Sequence, residues 1–212
     1  MNKIKLLVLD CDGVLFDSKQ ANTYFYNYIL ERVGRPPMSP EEIEFIHMHS
    51  VNECLAYLFR NMPDKLDLAK NIQKEVSYSL FFDYLVMEKG VKEFLSWAKN
   101  YLYIALCTNR TTSTYPLLSR FNLTDYFDYV MDASIVPKSN PRALLQILEH
   151  FKTSPKETLY VGDSKVDEAL CKACKVSLVA FKNRALNADY YVESFDELKE
   201  LLLSKFSLSK RS

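Results

Sequence analysis

Five short apolar runs punctuate this chain: Ile4–Leu9, Leu102–Cys107, Tyr129–Met131, Leu159–Val161 and Val176–Phe181, each bounded by polar or turn-forming residues. Runs this short, with little in–out alternation, read as strands buried on both faces. Helical patterns separate the later ones. Val91–Ala98 is apolar at 91, 94, 95 and 98, and Tyr115–Phe121, Pro141–Phe151 and Asp167–Cys174 follow. Proline opens the third of these, where its missing N–H costs little. Strands alternating with helices predict an α/β protein: a mostly parallel sheet with helices on both faces.

One stretch breaks the alternation. From about Asp17 to Val86 there is no good strand candidate, only helical patterns at Gln20–Val33, Pro40–His47, Val51–Phe59 and Asp67–Phe82. Ser39-Pro40-Glu41-Glu42 is a helix start, with Ser as N-cap, Pro at the first position and acids in the first turn. The expected organisation is therefore an α/β core formed by 1–16 and 87–206, an inserted all-helical domain over 17–86, and a disordered polar tail over 207–212. A chain of 212 residues is long enough for both units.

Composition narrows the function classes. Lys plus Arg and Asp plus Glu are both 27, so no broad positive field is present and nucleic-acid binding by bulk charge is not expected. No apolar run reaches membrane-spanning length, and Met1–Leu9 is too short for a signal peptide and ends in acid, so the expectation is a cytoplasmic protein with no membrane partner. Five cysteines form no disulfide framework in a chain of this size. Cys171 and Cys174 make one CxxC on a helix pattern with no second pair and no nearby His, and read as small buried hydrophobes.

Four polar elements fall at the C-terminal ends of expected strands, the edge at which open parallel sheets bind ligands. Asp10-Cys11-Asp12-Gly13 ends the first strand and brings two carboxylates near one spot as the chain turns away at Gly13. That suits a carboxylate nucleophile, a neighbouring acid/base and a hard cation. Thr108-Asn109-Arg110 ends the second, with hydroxyl, amide and loop N–H groups for anionic oxygens. Lys138 precedes a helix, where an ammonium neutralises clustered carboxylates or a phosphate. Gly162-Asp163-Ser164-Lys165-Val166-Asp167 places two further acids at a strand-to-helix turn. Arg110 fits either a phosphate ligand or a surface charge, and the surface reading is preferred.

Together these elements resemble the haloacid dehalogenase-like hydrolase superfamily: DxDGxL at 10–15, Thr-Asn at 108–109, Lys at 138 and GDSxxD at 162–167. Gly90-Val91, Tyr126-Phe127-Asp128 and Ala188-Asp189-Tyr190 also match, so the resemblance covers nearly the whole chain. It implies a Rossmann-like core with a helical cap, near the phosphoglycolate phosphatase and beta-phosphoglucomutase branch. It assigns Asp10 as nucleophile, forming an aspartyl-phosphate, and Asp12 as the acid that protonates the leaving oxygen and then deprotonates water. Magnesium would be held by the Asp10 carboxylate, the Asp12 main-chain carbonyl and Asp163, with Asp167 supporting the metal waters or orienting Lys138. Thr108 and Asn109 would bind phosphoryl oxygens. The cap turn holding His47, His49 and Ser50 would contact the leaving group.

An acid two residues after the nucleophile separates phosphatases and phosphomutases from the superfamily's dehalogenases, which lack it. The expected function is therefore a magnesium-dependent phosphatase of a small-molecule phosphate ester. A phosphomutase of the same chemistry and a non-catalytic binding protein are the alternatives. Two positions depart from the family pattern: Ser139 stands where Lys-Pro is usual, and Lys175 stands where the helix after GDSxxD usually meets Gly.

Overall fold

A computed structural model of the chain describes residues 2–46, 49 and 51–211. Contacts divide it into two compact units, one of residues 1–17 and 87–212 and one of residues 18–86.

The first unit is built on six strands: β1 (Leu6–Leu9), β2 (Tyr103–Cys107), β3 (Tyr129–Met131), β4 (Thr158–Gly162), β5 (Ser177–Phe181) and β6 (Tyr190–Val192). They lie side by side in the order β3-β2-β1-β4-β5-β6, all parallel. β1 is central and buried along its whole length. The chain moves outward from β1 to β3, then returns to the other side of β1 as β4. That reversal is the topological switch point at which such sheets leave a crevice. Register aligns the strand ends there, with Leu9 beside both Leu106 and Val161.

The apolar runs are continuous because both faces of the sheet are covered. In the second unit, helices α1 (Lys19–Arg32), α2 (Pro40–Ile46), α3 (Val51–Leu58) and α4 (Leu66–Glu75) come first in chain order. The sheet unit then carries α5 (Val91–Ala98), α6 (Thr114–Arg120), α7 (Arg142–Phe151), α8 (Lys165–Cys174) and α9 (Phe195–Lys205). On one face Leu6, Val8, Ala105, Cys107, Tyr160 and Leu178 pack with Leu144 and Ile147 of α7 and Leu170, Cys171 and Cys174 of α8. The CxxC cysteines are thus core residues, and burial pushes both thiols up and out of the reactive range. Elsewhere in the unit, the Phe195 ring of α9 lies 5.1 Å from both Phe94 of α5 and Phe181 of β5.

In the second unit, α1 buries Ala21, Phe25, Tyr26, Ile29 and Leu30, a stripe at helical spacing. Ser39 and Glu42 form the expected helix start: Glu42 N donates to Ser39 Oγ at 3.3 Å and Ser39 N to Glu42 Oε2 at 3.1 Å. The single helix expected over Asp67–Phe82 is broken. α4 stops at Glu75, Val76 and Ser77 are extended, and a tighter helical segment spans Tyr78–Tyr84. Packing decides this. The break lets Tyr78 and Phe81 bring their rings to 5.2 and 5.7 Å from Phe25, and Tyr78 OH donates to Asn22 Oδ1 at 2.5 Å.

The tail read as disordered is anchored at two places: Ser207 ends a short strand, Phe206–Ser207, that pairs in parallel with Asn2–Lys3, and Arg211 is held by its side chain. Arg211 donates to Asp128 through Nη1 at 2.9 Å and Nη2 at 3.1 Å, and its guanidinium lies 4.2 Å from the Tyr103 ring centre. No helix among the described residues is long and apolar enough to cross a membrane.

Candidate active site

The ends of β1, β2 and β4 bring together residues more than 150 positions apart in the chain. Asp10 continues β1: its N–H donates to Val161 O at 2.9 Å. Beyond it the chain curls at once, with Leu15 N and Phe16 N donating back to Cys11 O at 2.9 and 3.1 Å. Gly13 allows the curl. Its φ is +76°, and a Cβ there would lie 1.8 Å from Asp163 Oδ2. Gly162 serves the other acidic loop in the same way, because a Cβ on it would stand 2.6 Å from Asp167 Cβ. Both glycines therefore let acids approach backbone.

The Lys138 side chain is 3% exposed, and its Nζ bridges Asp10 Oδ2 at 2.7 Å and Asp167 Oδ1 at 2.8 Å. Ser139 in place of proline does not disturb this placement. Lys138 N donates to Asn109 Oδ1 at 2.9 Å, which ties the lysine loop to the loop after β2. Asp167 is fully buried and saturated. Its Oδ1 also accepts from Tyr160 OH at 2.8 Å, and its Oδ2 accepts from Ser164 Oγ at 2.6 Å, Ser164 N at 3.1 Å and Asp163 N at 3.3 Å. Ser164 Oγ in turn accepts from Asp167 N at 3.2 Å, so the N-terminus of α8 is capped by the residues that anchor the lysine.

Oxygens of Asp10, Asp163 and Asp167 lie within 4.8 Å of one another. Three acids against one ammonium, out of water, leave excess negative charge. Burial, with repulsion from Asp167 and Asp163, raises Asp10 well above the ordinary carboxylate range despite Lys138. Burial and Asp167 push Asp163 up to about 7. Asp167 goes the other way: burial pushes it up, but the Lys138 ammonium and the bonds from Ser164 and Tyr160 outweigh that and hold it below the usual range. Burial alone would lower Lys138, and Asp10 with Asp167 reverses that, so the ammonium is kept. With its own oxygens committed, Asp167 meets the cluster through its contact with Lys138. Asp10 and Asp163 are the carboxylates suited to a cation.

Thr108 is buried at the end of β2, its N–H donating to Met131 O at 2.9 Å, and Asn109 is exposed beside it. Arg110 corrects the sequence reading. It is buried, not a surface charge, and clasps Asp12: Nε to Oδ2 at 2.8 Å and Nη2 to Oδ1 at 2.6 Å. The fork across 98 positions of sequence had no local signal. Tyr160 carries no local signal either, since on β4 it reads as one more core aromatic. Lys175 also has an explanation: it adopts the left-handed cap conformation itself, at φ 57° and ψ 32°.

Of the three cap-turn residues, His47 and Ser50 lie outside the described residues. His49 is exposed, stacked on Phe45 at 3.7 Å between ring centres, with Nδ1 2.8 Å from Phe45 O.

A parallel sheet with DxDG at the end of its central strand and lysine and GDSxxD at the neighbouring ends defines a haloacid dehalogenase-like hydrolase. The chain belongs to that family, which it matches over residues 7–181. It is 28% identical over 218 residues to the phosphoglycolate phosphatase of Nitrosococcus oceani, covering 93% of this chain and 96% of that one. A crystal structure of a haloacid dehalogenase-superfamily hydrolase, subfamily IA, variant 1, from Geobacter sulfurreducens matches with a TM-score of 0.80 and 39% identity over 95% of this chain and 97% of that one. The beta-phosphoglucomutase of Clostridium difficile shares the fold, with a TM-score of 0.75 at 18% identity over 95% of this chain and 96% of that one.

Proposed function

We propose that the chain is a magnesium-dependent phosphatase of a small phosphorylated metabolite, phosphoglycolate-like or a sugar phosphate, working through an aspartyl-phosphate on Asp10. The observation that carries this reading is the Asp10 carboxylate at the end of the central strand, with Lys138 on one oxygen at 2.7 Å and Asp12 two residues on. The phosphoglycolate phosphatase relatives support the substrate class. Carboxylate and carbonyl oxygens are a donor set for a hard cation, and the raised Asp10 and Asp163 mark a charge excess that a cation relieves.

Magnesium held by Asp10, Asp163 and the Asp12 carbonyl supplies, when bound, the positive charge that offsets repulsion between Asp10 and an incoming phosphate. Lys138 adds a fixed charge on the same oxygen, and Thr108 and Asn109 hold the phosphoryl oxygens. An Asp10 oxygen attacks phosphorus and the ester P–O bond breaks. The Asp12 carboxyl gives its proton to the leaving oxygen. Water then attacks the phosphorus of the aspartyl-phosphate, its proton passing to Asp12, and the Asp10–phosphorus bond breaks to release phosphate. Leaving-group recognition is assigned to the cap turn of His47, His49 and Ser50. The cysteines at 11, 54, 107, 171 and 174 are all buried and unpaired, which fits a reducing, cytoplasmic setting.

Phosphate release from a panel of small esters, phosphoglycolate and hexose phosphates among them, tests the reading with magnesium and with a chelator. Magnesium-dependent release from one or a few esters is expected. No release from a folded, metal-binding protein overturns it. Turnover that needs a sugar bisphosphate activator transfers the assignment to a mutase.

A further inference from the structure

Arg110 occupies a position that the chemistry above does not use. Its side chain is 6% exposed, in the loop whose first two residues are assigned to the phosphoryl oxygens. Its own N–H donates to Thr108 Oγ1 at 3.1 Å, and Nη1 donates to Ser113 Oγ at 3.4 Å. The remaining edge of the guanidinium takes both oxygens of Asp12 in a fork. An arginine fork matches a carboxylate or a phosphate equally well, and the guanidinium carries its charge at all times.

That arrangement conflicts with turnover. Asp12 has to turn a carboxyl oxygen to the leaving group, and here both oxygens are engaged by Arg110. The fork therefore has to open in each cycle. A buried guanidinium stripped of its anion is costly, so opening is easy only when another anion takes the place of Asp12. The group that arrives at that moment is the phosphoryl group itself. We propose that Arg110 is a phosphate-binding residue that exchanges Asp12 for two phosphoryl oxygens, so that Asp12 is freed for leaving-group chemistry only when a phosphate is in place. The proposal deepens the phosphatase reading and rests on it.

Inorganic phosphate, titrated calorimetrically into the full chain with magnesium present, is the probe. Arg110→Met is expected to weaken phosphate binding by about tenfold to a hundredfold, the loss of charge-assisted hydrogen bonds, with Arg110→Lys in between. Asp12→Asn removes the competitor for the fork and is expected to tighten phosphate binding, but only where Arg110 is present. In Arg110→Met the same Asp12→Asn change is expected to have little effect. Asp12 is about a third exposed, so losing its partner is tolerable; circular dichroism checks that each variant is folded.

Phosphate affinity unchanged in Arg110→Met overturns the assignment. An equal Asp12→Asn effect in both backgrounds overturns the exchange, since simple charge repulsion would produce it. The two readings fail separately. A wild type that binds phosphate through Arg110 but releases none from any ester refutes the phosphatase reading alone. A wild type that hydrolyses esters with phosphate affinity indifferent to Arg110 refutes the exchange alone.

Discussion

Tyr160→Phe removes one oxygen from the centre of the sheet and alters nothing else in shape. The Tyr160 side chain is fully buried, and its hydroxyl donates to Asp167 Oδ1 at 2.8 Å, with Cys107 O at 3.3 Å. Asp167 is fully buried too, and the bond is charge-assisted. Hydrogen bonds to charged groups contribute about 1.5–3 kcal/mol. No cavity term enters, because the ring stays, and Asp167 keeps Lys138 and Ser164. The expected loss is therefore about 1.5–3 kcal/mol, which for a chain of this length corresponds to a fall in Tm of roughly 3–12 °C. The sign of the pH dependence follows from Asp167, whose carboxyl is held below its ordinary range in the folded chain. Its stabilising contribution is present above the unfolded pKa and is lost as pH falls through the folded one. Phenylalanine removes one cause of that depression, so wild type and variant should differ most near neutral pH and converge in acid. Urea and thermal unfolding, followed by near-ultraviolet circular dichroism, measure both. A difference below about 0.5 kcal/mol at neutral pH, or a gap that widens in acid, would refute the account of Asp167 as the ionised anchor of Lys138.

Three further outcomes follow from the same geometry. Asp10→Asn is expected to abolish phosphate release while the protein stays folded; unchanged release would remove Asp10 as nucleophile. Magnesium affinity should weaken as pH falls below about 7, by about tenfold per pH unit for each proton displaced, because Asp163 is pushed up to about 7, Asp10 is raised as well, and both must be deprotonated to bind metal. Calorimetry in two buffers reads those protons, and a pH-independent affinity from about pH 6 to pH 8 would contradict it. Lys175→Gly should raise stability by roughly 0.5–1 kcal/mol, since an L-residue at φ 57° carries strain that glycine does not; a lower Tm would show that the Lys175 side chain contributes more than its backbone costs.

Local signals carried much of the fold. Leu6–Leu9, Tyr103–Cys107 and Tyr129–Met131 lie within the expected runs, because strands buried on both faces need nothing beyond an apolar stretch and a turn. β6 and α9 have no comparable signal. Tyr190–Val192 is three residues at the sheet edge with one buried side chain, and nothing in such a segment distinguishes strand from loop. The break after Glu75 was equally silent, since it is set by where Phe81 and Phe82 find a core.

The site divides in the same way. Asp10, Asp12, Thr108, Asp163 and Asp167 stand at or just beyond the ends of apolar runs and Lys138 just before a helix, and parallel strands put all their C-terminal ends on one edge. Sequence by itself thus determined five of the six strands and the residue types gathered at one edge of the sheet. Which of those groups touch was decided by tertiary structure alone. Lys138 joins Asp10 to Asp167, Tyr160 holds Asp167 from beneath, and Arg110 clasps Asp12. The physical reason is that pairing and desolvation depend on distances across strands, and a residue's neighbours in the chain carry no record of them.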